Sequence, residues 1–243
     1  MSTAQPYQWT SCAATHIGHV RSINEDAYLD RDDQQLWVVA DGMGGHHAGD
    51  VASHSIVEAL KDIPKANQLS IAVNNIEDCL LDVNAHLRSM AQQHSDHRTI
   101  GSTVMAMAAL NHHCALLWAG DSRAYRSRNG SFVQLTRDHS QIEEMVDRGL
   151  ISREDADSHP ASNVITRAVG AMDELYIDVD VDEVESGDTF LLCSDGLYKH
   201  ITETELAEVL KNDNLQEICD SLIDLTLQRG AMDNVTIVLV RAV

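Results

Sequence analysis

"WVVADGMGGHHAGD", residues 37–50, runs four apolar residues straight into Asp41 and then sets Gly42, Gly44, Gly45 and Gly49 around His46 and His47. With Leu36, the apolar run reads as a strand covered on both faces. The glycines admit backbone angles that other residues resist, at an entropic cost. An aspartate held at the end of a stiff strand and followed by backbone that can come close to a ligand is suited to binding. Asp-Gly is also an ordinary turn dipeptide, and for one aspartate alone the turn is the simpler reading.

The same arrangement recurs. Asp121 follows "CALLWAG", Asp195 follows "TFLLCS", and Asp233 precedes "NVTIVLV". If the strands pair antiparallel, the C-terminal end of one lies beside the N-terminal end of another, so all four aspartates can meet on one edge. "RSINEDAYL" adds Glu25 and Asp26. Turn chemistry does not account for so many carboxylates at strand ends. Clustered carboxylates repel one another and resist ionising unless something positive sits among them. Hard divalent cations such as Mg²⁺ and Mn²⁺ prefer oxygen ligands and meet that need. A pair of such ions about 3.5–4 Å apart can activate a water and clamp a phosphoryl group. Gly42 could then offer its carbonyl, and His46 or His47 could protonate a leaving oxygen. Both histidines also fit an exposed helix start, because "HHAGDVASHSIVEAL" runs into a helix.

The apolar runs at 36–40, 102–110, 114–120, 189–193 and 235–240 read as strands, and the three-residue link 111–113 makes the second and third a hairpin. "SRAYRSRNGSFVQLT" continues as another hairpin turning at Asn129-Gly130. Three stripes at helical spacing mark one-sided helices: Ala52, Ile56, Ala59 or Leu60, and Ile63; Val73, Ile76, Leu80, Val83, Leu87 and Met90; Leu215, Ile218, Leu222 and Leu225. Doubly covered antiparallel strands with one-sided helices predict an α+β fold, a four-layer α-β-β-α sandwich with two sheets face to face. A two-layer α+β domain is the alternative. Without linker or repeat, residues 1–243 read as one domain.

The 243 residues suffice for a substantial core, and the formal net charge of -21 disfavours nucleic acid and anionic lipid as partners. No signal-peptide core and no apolar run longer than a strand is present, so neither secretion nor a membrane span is expected. The five cysteines are dispersed with no Cys-x-x-Cys pair, which fits reduced, mostly buried thiols in a cytoplasmic protein.

These residues resemble the metal-dependent protein phosphatases of the protein phosphatase 2C family in their compact bacterial form. The matching segments read "HIGHVRSINEDAYL", "VVADGMGGHHAGDVAS", "GSTV", "WAGDSRAYR", "QLTRDHSQIEEMVDRGLIS", "HPASNVITRAVG", "LLCSDGL" and "MDNVTIVLV", in family order. The resemblance implies two Mn²⁺ or Mg²⁺ ions and direct attack of a metal-bridging water on phosphoserine or phosphothreonine in proteins. It implies Asp41 as the bridging ligand, Gly42 as a carbonyl ligand, and Asp195 and Asp233 as further ligands. Asp121 and Asp195 would share a third, weaker ion. Glu25 and Asp26 would lie near the metal waters, Arg21 would bind phosphate, and His46 would be the general acid. A forked guanidinium suits phosphate; a surface arginine paired with Glu25 or Asp26 is the lesser alternative. Asn234 could orient Asp233 or cap a turn. The segment at about 141–165 would be a flap beside the site. Expected partners are phosphorylated proteins and a bacterial serine/threonine kinase, sometimes one controlling a secretion system. A monomer is expected, with no attached kinase, sensor or membrane domain.

Two other classes compete. A phosphoprotein-binding relative without turnover would have no need for the full carboxylate set. A hydrolase of nucleotides or small phosphate esters finds no Gly-x-x-x-x-Gly-Lys-Ser/Thr loop. A cysteine-dependent phosphatase needs arginine six positions after its nucleophile; here those positions hold Gly18, Ala85, Gly120, Lys199 and Leu225.

Overall fold

The structure, a computed structural model, describes residues 7–44, 47–93, 99–156, 159–161 and 163–243. In chain order the elements are β1 (Trp9–His16), β2 (Asp26–Arg31), β3 (Leu36–Met43), α1 (Ala48–Lys61), α2 (Leu69–Gln93), β4 (Gly101–Ser102), β5 (Val104–Leu110), β6 (His113–Ala119), β7 (Arg123–Arg128), β8 (Ser131–Gln134), α3 (Gln141–Asp147), α4 (Arg153–Ala156), β9 (Asp178–Glu183), β10 (Thr189–Cys193), α5 (Asp195–Tyr198), α6 (Glu203–Val209), α7 (Leu215–Gln228) and β11 (Val235–Ala242). One sheet runs β1-β11-β10-β7-β8 and the other β2-β3-β5-β6-β9, with β4 beside β3. The pairings are antiparallel.

Alternate residues of each central strand enter different layers. Trp37 and Val39 join Met105, Met107, Phe190, Leu192, Val238 and Val240 between the sheets. Val38 and Ala40 face the other way and pack with Ile56 and Leu60 of α1 and Leu80 and Leu87 of α2. On the far side, Leu191, Cys193, Ile237 and Leu239 meet Ile218 and Leu222 of α7. Both faces of the central strands are thus covered, which is why they read as unbroken apolar runs. Each large side chain taken fully out of water contributes about 1.5–3 kcal/mol. The result is the four-layer sandwich.

Three details differ from the sequence reading. The run at 102–110 is two strands, because the ladder breaks at Thr103: Gly42 pairs with Ser102, while Val39 pairs with Met105. The strand-like "VITRAVG" is no strand; it makes only single bridges, Ile165 to Ser140 and Val169 to Ser102. Strands β1, β2 and β9 were not foreseen, because partly exposed polar residues break their apolar pattern. Turning at Asn129 and Gly130, both with positive φ, the second hairpin forms as expected.

Candidate active site

Asp26 and Asp41 are opposite one another in the β2–β3 ladder. Asp41 is tied down by Thr103: its N–H donates to Thr103 Oγ1 at 3.0 Å, and its carbonyl accepts the Thr103 N–H at 2.9 Å. Thr103 Oγ1 also lies 2.7 Å from Ser122 Oγ, next to Asp121 at the end of β6. From the other sheet come Asp195, the first residue of α5, and Asp233, just before β11. Ser194 Oγ links the sheets by donating to Asp26 Oδ2 at 2.8 Å while accepting the Thr236 N–H at 3.0 Å.

The electrostatics register this convergence. Loss of water pushes the Asp41 carboxyl far above its ordinary range, and the charges of Asp26, Asp195, Asp121 and Asp233 push it further. Burial raises Asp26 most, opposed by its Ser194 and Thr236 hydrogen bonds and reinforced by Asp195 and Asp233. Burial also raises Asp121, with Asp195 and Asp138 adding to it and Lys199 opposing. Asp121 Oδ1 is buried without a hydrogen-bond partner. An all-oxygen donor set that resists carrying its own charge fits a hard divalent cation.

Among the described residues, no three histidine, cysteine, aspartate or glutamate side chains stand in ligating geometry. Two of the carboxylates hold side-chain cations instead. Arg21 forks onto Asp233, Nε to Oδ1 at 2.8 Å and Nη2 to Oδ2 at 2.7 Å. Lys199 forms an ion pair with Asp195 Oδ2. Arg21 therefore sits among the site carboxylates, on Asp233 rather than on Glu25 or Asp26.

The glycine-rich turn is required by crowding. A Cβ on Gly42 would stand 2.0 Å from the Gly49 carbonyl oxygen and 2.5 Å from that of Glu25. This close approach lets the end of β3 abut the start of α1. Glu25 Oε1 accepts the Gly49 N–H at 3.2 Å, placing a carboxylate at the positive end of α1. The Asn234 backbone N–H donates to Asp233 Oδ1 at 2.9 Å, and its side chain reaches further. Its Nδ2 donates to the carbonyls of Ile17 and Ile23 at 2.9 and 3.0 Å, and its Oδ1 accepts the Glu25 N–H at 2.8 Å. It thereby staples the loop that carries Arg21 and Glu25. His46 lies outside the described residues. His47 is the exposed N-cap of α1, with φ 67° and no side-chain capping bond.

Sequence reasoning missed Ser194, Thr236, Thr103, Ser122 and Lys199. Small hydroxyl residues give no periodic signal, although Ser194 and Ser122, each adjacent to an aspartate at a strand end, offered a usable clue. Beside Asp121, a cavity of about 560 Å³ opens next to helices α3 and α4, lined by Arg123, Asp138, Glu143, Arg153, Tyr198 and Lys199 among others.

The family described as "Protein phosphatase 2C" matches residues 14–229. The serine/threonine phosphatase stp of Listeria monocytogenes is 38% identical over 234 residues, 93% of each chain. A solved structure described as PppA, a key regulatory component of T6SS in Pseudomonas aeruginosa, superposes with TM-score 0.90 at 42% identity, covering 98% of this chain and 99% of that one. The catalytic domain of the serine/threonine protein phosphatase PstP, solved in complex with two manganese ions, gives TM-score 0.86 at 31% identity over 97% and 98% of the chains. With its sandwich and its edge of aspartates, the chain belongs to the protein phosphatase 2C family, in its bacterial form, and is a protein serine/threonine phosphatase.

Proposed function

We propose that the carboxylate edge is the catalytic centre, hydrolysing phosphoserine and phosphothreonine in proteins. The observation that carries this reading is geometric: buried Asp26 faces Asp41 across the β2–β3 ladder and is bonded to Ser194 beside Asp195, and buried Asp121 has an unpartnered carboxylate oxygen, in a site that offers only oxygen donors. Asp41, Asp195 and Asp233, with the Gly42 carbonyl, would hold two Mn²⁺ or Mg²⁺ ions, and Glu25 and Asp26 would engage their waters. Asp121 is the further carboxylate of the set. Such ions supply Lewis acidity, which acidifies a water and draws charge from the phosphoryl group.

The rest falls to the chain. Arg21 leaves Asp233 and directs its forked donors at two phosphoryl oxygens, where they offset the charge that builds in the transition state. Thr103 fixes the Asp41 backbone, so that carboxylate needs no reorganisation during the reaction. Water attacks phosphorus in line, and His46 gives a proton to the departing serine or threonine oxygen. The partners are phosphorylated proteins, among them a serine/threonine kinase and its targets. The likeness to PppA supports a regulatory setting of that kind. The dispersed free cysteines support a reducing, cytoplasmic one.

The test is hydrolysis of a phosphothreonine peptide and of p-nitrophenyl phosphate with Mn²⁺, Mg²⁺ or EDTA, for wild type and Asp41→Asn. Turnover that needs the metal and vanishes in the folded variant is expected. Near-wild-type turnover by Asp41→Asn would overturn the ligand assignment. A folded wild type that binds Mn²⁺ without turnover would mark a phosphoprotein-binding regulator.

A further inference from the structure

Lys199 lies one helical turn after Asp195 and was not foreseen as part of the site. Its ammonium pairs with Asp195 Oδ2 and donates to Asn163 Oδ1 at 2.8 Å. The carboxylates whose charges reach it are Asp195, Asp121 and Asp41. Asp121 is 4% exposed, and its buried Oδ1 finds no hydrogen-bond donor. A carboxylate so placed needs a positive charge nearby. The family resemblance assigns that task, between Asp121 and Asp195, to a third and weaker ion.

We propose that the Lys199 ammonium takes the third cation position, so that this chain binds two free divalent ions where the resemblance implies three. The inference rests on the metal centre proposed above. Two physical points carry it. An ammonium tethered by the chain is present at a high effective concentration whatever the ion supply. A divalent ion entering between Asp121 and Asp195 would also have to displace a positive charge that already contacts one of its two ligands, against direct repulsion. Asn163, in the flap segment, holds the ammonium from the other side. The third site is thus closed by the chain itself, next to the cavity beside α3 and α4.

The experiment is equilibrium dialysis with Mn²⁺ alone, counting ions bound per folded chain at saturation, in wild type, Lys199→Met and Lys199→Arg. Methionine keeps an unbranched stem without the charge; arginine keeps the charge. Wild type and Lys199→Arg should each bind two ions, and Lys199→Met three. Adding Asp121→Asn to Lys199→Met should remove the extra ion. Three ions on wild type, no gain in Lys199→Met, or a gain that survives Asp121→Asn would each overturn the inference while the metal centre stands. A wild type that binds no Mn²⁺ would overturn both.

Discussion

Ser194 Oγ and Asp26 Oδ2, 2.8 Å apart, join the two sheets at the edge where the aspartates meet. The same hydroxyl accepts the Thr236 N–H at 3.0 Å, so one side chain serves two buried groups. Ser194→Ala leaves that N–H without a partner and strips Asp26 of the first of two hydrogen bonds that oppose its elevation, the other being from Thr236. The expected loss of stability is about 1–3 kcal/mol. Urea denaturation of wild type and variant in EDTA measures it. A loss of less than about 0.5 kcal/mol, the range of an ordinary surface change, would mean the bond stitches nothing.

On the proposed metal centre, Arg21 would compete with a divalent ion for Asp233. The guanidinium is half exposed, and its fork occupies both carboxylate oxygens. Arg21→Ala should therefore shift two quantities in opposite directions. Half-saturating Mn²⁺ should fall, because the resident cation is gone. KM for a phosphopeptide should rise roughly tenfold, the scale of one charge-assisted hydrogen bond. Arg21→Lys, which keeps the charge but not the fork, should lie between. A rise in half-saturating Mn²⁺ would show that Arg21 does not compete for Asp233.

How much of this was legible follows from what each residue contributes to a pattern. Strand β10, read as 189–193, is Thr189–Cys193, because both its faces are buried and every residue is apolar or small. Strand β9 alternates aspartate with exposed valine at a sheet edge, so it imitates a loop. The aspartates stood out because each interrupts an apolar run. Asn234 could be placed but not understood, since its partners Ile17, Ile23 and Glu25 lie more than two hundred positions away and local sequence cannot show that contact. Lys199 was judged only as a missing arginine six positions after Cys193. Its pairing with Asp195 needs the helical turn of α5, which "SDGLYK" does not announce.

His139 makes the fold sensitive to acid. Its Nδ1 accepts the Gly120 N–H at 3.1 Å, so the proton of the neutral ring belongs on Nε2, facing Asp178 Oδ2 at 3.1 Å. Burial holds its pKa below the ordinary 6.5; the Asp178 hydrogen bond opposes this, while the nearby Arg167 charge assists it. Protonating Nδ1 would set a donor against the Gly120 N–H. A depressed folded-state pKa means that the unfolded chain takes up the proton first. The stabilisation is complete above about 6.5 and drains away as pH falls from there toward the lower folded value. The urea midpoint should therefore drop between pH 7.5 and 5.5, and His139→Gln should show a smaller drop. An equal drop in the variant would assign the effect to other groups.

The cysteines should be nearly silent in the native protein. Burial pushes the Cys114 and Cys193 thiols up to about 12, so almost none of either is thiolate at neutral pH. Cys219 is raised further, by burial first and then by its neighbour Cys12, and both are buried. Cys79 on α2 is only partly buried, though its thiol is raised too, by burial and by Asp82. Iodoacetamide at pH 7.5, followed by mass spectrometry, should modify Cys79 slowly and the other four only after denaturant is added. Denaturation should then expose all five as thiols without a reductant, because every cysteine is free in this fold. Rapid native labelling of Cys114 or Cys193 would mean that the sandwich opens far more often than its packing allows.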